Sequence, residues 1–188
     1  MPTLLIVIAS TRPGRAGLPV ARWFEDHARQ HGGFDVKVAD LAELNLPLFD
    51  EPQHPRLGHY VQEHTRVWSR MVDDADAFTF VMPEYNYAMT APLKNALDYL
   101  YSEWNYKPVG LVSYGGISGG LRAAQMVKEV VTTLRMMPLP EGVAIPFVAQ
   151  HIQDGIFHPS ELAVQSTNTM LDELARWAGA LASLRERG

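Results

Sequence analysis

Continuous apolar runs alternate with longer amphipathic stretches along this 188-residue chain, and this alternation limits the possible folds more than any single motif. The run "TLLIVIA" (3–9) is continuously apolar after its first residue, as is typical of a strand buried on both faces. The stretch "PVARWFEDHARQHGG" (19–33) has the pattern of a helix that stops at its glycine pair. Because each parallel crossover needs a covering element, repeated units of this kind predict an α/β fold: a parallel sheet with helices on both faces.

The same alternation predicts the remaining elements and the domain organisation. The predicted strands are 3–9, 34–41, 77–83, 107–115 and 142–147, and the predicted helices are 19–33, 54–75 (for the most part), 91–103, 118–136 and 160–186. No linker, internal repeat or low-complexity segment interrupts this order. The length suits one domain with a sizeable core and is short for two, so we expect a single domain over 1–188.

Composition excludes several classes of function. With no cysteine, the chain can form neither disulfides nor thiolate metal sites, and it offers no thiol nucleophile. His54, His59 and His64 are spaced five apart and cannot share a helix face, so we expect no metal site there. The net charge of -5 gives no reason to expect nucleic acid or an anionic membrane as a partner. The first apolar run is too short to span a membrane and lacks a preceding basic region, so we expect a cytoplasmic protein.

Ligands of open parallel sheets bind beyond the carboxyl ends of the strands, and three loops there have unusual compositions. The first is "ASTRPGRAG" (9–17). It offers the Ser10 and Thr11 hydroxyls, the Arg12 and Arg15 guanidinium groups, and glycines (Gly14 and Gly17) that allow close backbone approach. Because a helix N-terminus follows, we favour phosphate binding over a solvated turn. The loop is neither G-x-x-x-x-G-K-[ST] nor G-x-G-x-x-G, so a mononucleotide fits better than a dinucleotide.

The other two loops follow the third and fourth strands. Pro83 stops the third strand, and Glu84, Tyr85, Asn86 and Tyr87 then project over the sheet edge. Their backbone could hydrogen-bond the edge of a planar heterocycle, although an aromatic corner that packs on its own domain is an equal alternative. After the fourth strand, "SYGGISGG" (113–120) contains four glycines in six residues. We assign a ligand role there mainly to Tyr114, Gly115 and Gly116.

The segments "ASTRPGRAG", "PEYNYAMTAPLKNALDYL" and "SYGGISGGLRAAQ", in this order, resemble the NADPH-dependent FMN reductase family, whose members include chromate, quinone and azo-dye reductases. The resemblance covers roughly residues 3 to 150 and implies a flavodoxin-like three-layer sandwich with a five-stranded parallel sheet in the order 2-1-3-4-5. It also implies bound FMN, with NADPH or NADH as the hydride donor. By this resemblance, Ser10, Arg12 and Arg15 would hold the FMN phosphate. Pro83, Glu84, Tyr85 and Asn86 would line the isoalloxazine ring and ribityl chain, and Ser113, Tyr114, Gly115 and Gly116 would cover the pyrimidine end.

These expectations lead to a functional hypothesis with two alternatives. The chain would pass two electrons from NAD(P)H, by a ping-pong mechanism, to a quinone, azo, nitro or metal-oxyanion acceptor. Because FMN performs the chemistry in such enzymes, we expect no catalytic side chain. The alternatives are an electron carrier of the flavodoxin type and a non-catalytic module whose loops grip a partner protein.

A last expectation concerns assembly. The helix after Thr90 carries Leu93, Leu97, Leu100 and Trp104 on one apolar face. Tyr99 and Tyr101 then lie on other faces, which the sheet of the same chain cannot also cover. We therefore expect these aromatics, with "WNY" (104–106), to lie at a subunit interface of a homodimer or tetramer, with a monomer as the alternative.

Overall fold

The computed structural model describes residues 1–185, which form a three-layer α/β sandwich. Its five parallel strands are β1 (Thr3–Ile8), β2 (Asp35–Asp40), β3 (Ala77–Pro83), β4 (Pro108–Tyr114) and β5 (Met137–Ile145). The sheet order is β2-β1-β3-β4-β5, so the order predicted from the family resemblance is confirmed. Strands β3 and β4 are buried along their whole length, which agrees with their nearly continuous apolar sequences.

Within residues 1–185, six α-helices cover the sheet. They are α1 (Gly17–His31), α2 (Leu41–Leu44), α3 (Glu63–Asp73), α4 (Ala91–Asp98), α5 (Leu121–Thr133) and α6 (Glu161–Arg185). Helices α1 and α6 pack on one face around Phe24, Met170 and Leu174, whereas α3, α4 and α5 pack on the other face around Trp68 and Trp104. The predicted helix over 160–186 is therefore present, although its expected last residue lies outside the described residues. None of the helices in residues 1–185 combines the length and the apolar character that a membrane crossing requires.

The predicted helix over 54–75 is wrong in its first half. Only a 3-10 turn, Pro55–Leu57, and helix α3 are helical there. Gly58 ends the turn in the left-handed region, with φ of 65°. The buried carboxylate of Glu51 accepts hydrogen bonds from the backbone N–H groups of Val61 (2.9 Å) and Gln62 (3.0 Å), just before α3 begins. Residue 51 lies outside the predicted helix, so its capping contact could not be read from the helical pattern.

The predicted helix over 91–103 is also too long, because α4 ends at Asp98. The Tyr99 hydroxyl donates to the Pro47 carbonyl oxygen at 3.0 Å, and the Tyr99 side chain is completely buried. The backbone leaves the helical region at Tyr101, and Trp104 then packs under the sheet with its ring centroid 5.0 Å from that of Phe78. Our placement of Tyr99 and Trp104 at a subunit interface is therefore wrong: they belong to the core of their own chain.

Strand β5 begins five residues earlier than the predicted 142–147. Pro138 and Pro140 argue against a strand, but β5 is an edge strand, where a missing N–H donor can be tolerated. Its pairing with β4 is irregular between Val109 and Leu111. Helix α5 (Leu121–Thr133) is shorter than the predicted 118–136 at both ends. A two-stranded antiparallel hairpin, β6 (Ile152–Gln153) and β7 (Ile156–Phe157), follows β5 and was not predicted.

Candidate functional site

The loops after β1, β3 and β4 meet at the carboxyl edge of the sheet, and Thr90 ties two of them together. The buried Thr90 hydroxyl donates to the carbonyl oxygen of Ala9 at 2.7 Å and accepts from the backbone N–H of Leu93 at 3.2 Å. It therefore caps α4, as predicted, and also fixes the start of the β1 loop. Ala9 in turn donates its N–H to the Val81 carbonyl oxygen at 3.0 Å. Strand geometry thus continues into the first residue of the loop.

A small polar cradle lies where the β1 loop enters α1. The Ser10 and Tyr114 hydroxyl oxygens are buried and lie near each other, but neither forms a hydrogen bond of good geometry within residues 1–185. Gly17, at the start of α1, lies so close to both that a Cβ there would overlap Ser10 Oγ and Tyr114 Oη. Burial raises the pKa of Tyr114 more than its polar neighbour Ser10 lowers it, so the Tyr114 hydroxyl stays protonated and can donate. Two unpaired hydroxyls beside the free N–H groups of a fifteen-residue helix suit an anion.

The two arginines of the β1 loop differ in their environments. The Arg15 guanidinium pairs with both carboxylate oxygens of Asp40, with an Nη1–Oδ1 distance of 2.7 Å, and also donates to the Ser10 carbonyl oxygen. Asp40 is itself the N-cap of α2 and accepts from the Ala42 N–H at 2.9 Å. Arg12 is exposed, and its side chain forms no hydrogen bond or ion pair within the described residues. Arg15 therefore braces the loop, while Arg12 leaves its charge available.

The loop after β3 forms a tight turn with a strained backbone. Tyr85 and Ala88 exchange two backbone hydrogen bonds, of 3.0 and 2.9 Å. Asn86 and Tyr87, between them, both have positive φ angles, of 51° and 69°. Asn tolerates this left-handed region well, but Tyr rarely adopts it. The Tyr85 and Tyr87 side chains are exposed and project from the sheet edge, so the alternative of an aromatic corner packed on its own domain does not hold for them.

Glu84 anchors this turn to helix α5 and does not point towards open space. Its carboxylate accepts from the Arg122 N–H at 3.0 Å and from Arg122 Nη1 at 2.7 Å. Desolvation by burial raises the pKa of Glu84, but hydrogen bonds from Ser118, Arg122 and Ala123 outweigh it, so the pKa lies below its ordinary value. The Arg122 guanidinium also lies 4.2 Å from the centroid of the Tyr87 ring. Arg122 therefore contacts Glu84, just before the strained turn, and Tyr87, within it.

The glycines after β4 have different roles. A Cβ at Gly120 would come within 2.7 Å of the Tyr114 backbone nitrogen, and both Gly119 and Gly120 have positive φ angles. These two glycines are needed for the chain to pass close to β4. A Cβ at Gly116, by contrast, would have no atom within 4 Å, so its surface is open to a ligand. Ser113 is buried, and its hydroxyl donates to the Gly119 carbonyl oxygen at 2.9 Å.

The predicted residues thus fall into two neighbouring regions of the sheet edge. The first, which we call the anion cradle, consists of Ser10, Gly17, Tyr114 and the β1 loop with its arginines. The second, which we call the open shelf, consists of the Tyr85–Ala88 turn and Gly115–Gly116. Pro83, Glu84 and Ser113 lie beneath or between them and hold backbone in place.

Sequence reasoning missed two residues at this edge, Arg122 and Phe147. Phe147 follows β5 with φ of 49°, donates its N–H to the Gly116 carbonyl oxygen at 3.0 Å and is exposed. The sequence around Phe147 does not indicate a binding site, because an aromatic residue after an apolar strand is usually part of the core. Arg122 follows the glycine-rich loop at the start of α5. A cation at that position could have suggested a partner for an acidic residue in a neighbouring loop.

FMN fits this arrangement in two respects. Its phosphate matches the unpaired hydroxyls and free N–H groups of the anion cradle. Its planar ring system needs a flat surface without side chains, and the open face of Gly116 next to the turn supplies one. These residues could therefore hold the phosphate and the ring of a single mononucleotide.

Comparisons with known proteins agree with this chemistry. The chain is 38% identical over 187 residues to an NAD(P)H-dependent FMN reductase of Schizosaccharomyces pombe, covering 98% of this chain and 91% of the relative. It is 32% identical over 155 residues to an NADPH azoreductase of a Bacillus species, covering 80% of each. The structure resembles FerB, a flavoenzyme NAD(P)H:(acceptor) oxidoreductase of Paracoccus denitrificans, with a TM-score of 0.76, 18% identity and coverage of 96% and 98%. The family model for NADPH-dependent FMN reductase matches residues 2–150. The chain belongs to the NADPH-dependent FMN reductase family, whose members are oxidoreductases that use FMN and NAD(P)H.

Proposed function

We propose that this chain transfers two electrons from NAD(P)H to a small-molecule acceptor in two separate half-reactions, that is, by a ping-pong mechanism. The observation that carries the proposal is the position of the open shelf directly beside the anion cradle. A mononucleotide anchored by its phosphate would leave one ring face uncovered, where donor and acceptor can bind in turn. When bound, FMN supplies the redox chemistry, because it accepts a hydride from the nicotinamide and returns two electrons to the acceptor.

The residues of the chain bind and orient the cofactor. Ser10, Tyr114 and the first N–H groups of α1 hold the phosphate, and Arg12 adds a positive charge. The Tyr85–Ala88 turn and Gly115–Gly116 offer backbone groups to the ring. Glu84 is committed to the start of α5, and its lowered pKa keeps it ionised, so it does not act as a proton donor near neutral pH.

For the acceptor, we propose planar or anionic oxidants: quinones, azo compounds, nitro compounds or metal oxyanions. An exposed shelf bordered by Tyr85 and Tyr87 suits flat aromatic acceptors in particular. The azoreductase relative supports the same class of substrate.

The second candidate function is an electron carrier of the flavodoxin type. Carriers of that kind surround the flavin with acidic residues that meet basic partners. Here Arg12 and Arg122 lie at the mouth of the site, and the net charge of the chain is only -5. We therefore favour the enzyme. The third alternative, a module that grips a partner protein without flavin, predicts a colourless purified protein.

Spectroscopy and kinetics test this proposal together. We expect the purified chain to be yellow, and the flavin released by heat to be FMN and not FAD on chromatography. Anaerobic NADPH should bleach the flavin absorption, and a quinone should restore it. Initial velocities at several acceptor concentrations should give parallel double-reciprocal lines. A colourless protein, a flavin that NAD(P)H does not reduce, or intersecting lines would each contradict the corresponding part of the proposal.

We also propose a homodimer or tetramer, in which a second copy covers part of the open shelf. The support is a set of exposed apolar side chains around it: Tyr87, Ile117, Leu121 and Phe147. Tyr99 and Trp104 do not contribute to this surface, because they are buried in the core of their own chain. Light scattering at micromolar concentration should give two or four times the chain mass of 21.0 kDa, and a monomer mass would contradict it.

A further inference from the structure

A groove of about 780 Å³ extends from the β1 loop along the first two turns of α1. It is lined by residues Thr11 to Ala16 of the β1 loop, by Leu18, Pro19 and Arg22 of α1 and by Ala42 of α2. Its far wall comes from the segment after β5, namely Ala149, Ile152 and Gly155. The groove therefore reaches from the β1 loop to the segment after β5, whose Val148 N–H donates to the Gly115 carbonyl oxygen of the open shelf at 3.1 Å.

Besides Arg12, one further charge in this groove has no structural use within the described residues. Arg22 is exposed and forms no hydrogen bond or ion pair with any residue between 1 and 185. Arg15 is neutralised by Asp40, and Arg29, further along the same helix, pairs with Glu25 at 2.7 Å. Arg22 thus presents a free guanidinium, the side chain best suited to bidentate phosphate contacts.

The rest of the groove suits the remainder of a nucleotide. The FMN phosphate needs only the end of the groove formed by the β1 loop. Leu18, Pro19, Ala149 and Ile152 line the space between Arg22 and the hairpin wall with apolar surface. Small-molecule sites are mostly apolar with a few well-placed polar or charged groups, and Arg22 supplies such a group in this part of the groove.

We propose that this groove binds the adenosine end of NADPH and that Arg22 recognises its 2′-phosphate. The inference rests on the proposed function, and it makes Arg22 a determinant of NADPH over NADH. Arg12, in the β1 loop, would contact the phosphate of FMN and not that of NADPH. The group that Arg22 would recognise is a phosphate monoester. FMN and free phosphate also carry such a group, so the experiment distinguishes NADPH from these two sources.

Binding is tested on the FMN-loaded protein with two probes that differ only in the 2′-phosphate, adenosine 2′,5′-bisphosphate and 5′-AMP. Calorimetric titration should show the bisphosphate binding roughly tenfold to a hundredfold more tightly. The substitution Arg22→Ala should abolish this preference, Arg22→Lys should keep part of it, and Arg29→Ala, on the same helix, should leave it unchanged. Equal binding of both probes by the unaltered protein would overturn the proposal, as would displacement of the bisphosphate by millimolar inorganic phosphate.

Steady-state kinetics supply the second measurement. In Arg22→Ala, the KM for NADPH should rise roughly tenfold to a hundredfold, while the KM for NADH and the FMN content should not change. If FMN content falls and the NADPH-to-NADH ratio stays the same, Arg22 serves the flavin phosphate and the proposal fails. If neither nucleotide reduces the unaltered protein, the proposed function fails instead, and calorimetry still reports whether the groove recognises a 2′-phosphate.

Discussion

The anion cradle and the open shelf lie at the same edge of the sheet, but they are built in opposite ways. The cradle is buried and closely packed: Ser10 and Tyr114 are almost inaccessible, and Gly17 has no room for a side chain. The shelf is exposed, and two consecutive residues of its turn, Asn86 and Tyr87, lie in the left-handed region of the backbone. Rigid packing holds the first region, whereas a few polar contacts with Arg122 hold the second.

In the proposed function, this difference separates cofactor binding from the reaction with donor and acceptor. A buried set of donors loses little entropy on binding a phosphate, so the cradle is suited to retain the cofactor. An exposed shelf lets donor and acceptor approach and leave, and its strained turn keeps backbone groups in an orientation that a relaxed loop would lose. Substitutions in the cradle should therefore act on flavin affinity, and substitutions in the shelf should act on the position of the turn.

The largest effect is expected from Gly17→Ala. Its Cβ would overlap two buried hydroxyl oxygens, so either the helix start or the Tyr114 ring must move. Overpacking of this kind typically costs about 1–3 kcal/mol or more, and it also fills the cradle. We expect FMN affinity, measured by fluorescence quenching, to fall by more than about a hundredfold.

Two further variants test the cause of this loss. Tyr114→Phe removes one of the overlapping oxygens and should restore part of the stability of Gly17→Ala. Gly179→Ala, where a Cβ meets no atom within 4 Å, should leave both stability and affinity intact. Normal FMN binding by Gly17→Ala would show that the phosphate lies elsewhere.

The next effect is expected from Arg12→Ala. Arg12 has a free charge and Arg15 is neutralised by Asp40, so Arg12 should dominate attraction of the phosphate. We expect FMN affinity to fall roughly tenfold to a hundredfold, while the reduction rate of the flavin-loaded variant changes less. The affinity of the variant should also depend less on salt. Equal losses in affinity and rate would place Arg12 at the reacting end of the cofactor.

On the shelf, Glu84→Gln should have a smaller effect, and one that depends on pH. Because the folded state lowers the pKa of Glu84, its stabilising contribution is present above the ordinary value of 4.5 and is lost as pH falls through the folded pKa. At neutral pH the variant should lose about 1 kcal/mol of unfolding free energy. As pH falls through the folded pKa of Glu84, the two proteins should converge in chemical denaturation experiments. A constant difference across this pH range would mean that the charge of Glu84 is not what anchors the turn.

The sequence predicted the sheet well, because strands buried on both faces are continuous apolar runs. Strands β1, β3 and β4 were each placed within about one residue of their observed ends, and the order, the family and the FMN and NAD(P)H dependence are confirmed. The helices were less predictable, since their ends depend on distant contacts. The carboxylate of Glu51 sets the start of α3, and burial of Tyr99 and Trp104 shortens α4.

The candidate site was predictable as a set of loops but not as a set of contacts. The pairing of Arg15 with Asp40 joins residues 25 positions apart, so their charges gave no sign that one arginine would be neutralised. Glu84 was predicted to line the flavin, and its contact with Arg122, 38 residues further along the chain, could not be inferred from the sequence. The roles of the individual residues toward FMN stay predictions until flavin binding is measured.

The smallest expected effect concerns the stacking of Arg122 on Tyr87, which lies in the most exposed part of the shelf. A guanidinium 4.2 Å from the ring centroid at an exposed site contributes about 0.5–1 kcal/mol. Single substitutions cannot isolate this term, because Arg122 also binds Glu84 and because Tyr87 is strained in its own right. A double-mutant cycle can, with Tyr87→Leu measured in the unaltered protein and in Arg122→Ala. Leucine should keep the strained backbone while removing the aromatic ring. The loss of unfolding free energy caused by Tyr87→Leu should therefore be about 0.5 kcal/mol larger in the unaltered protein than in Arg122→Ala. A coupling near zero would mean that the aromatic face of Tyr87 adds nothing to the anchoring of the turn, and that Arg122 acts on the shelf through Glu84.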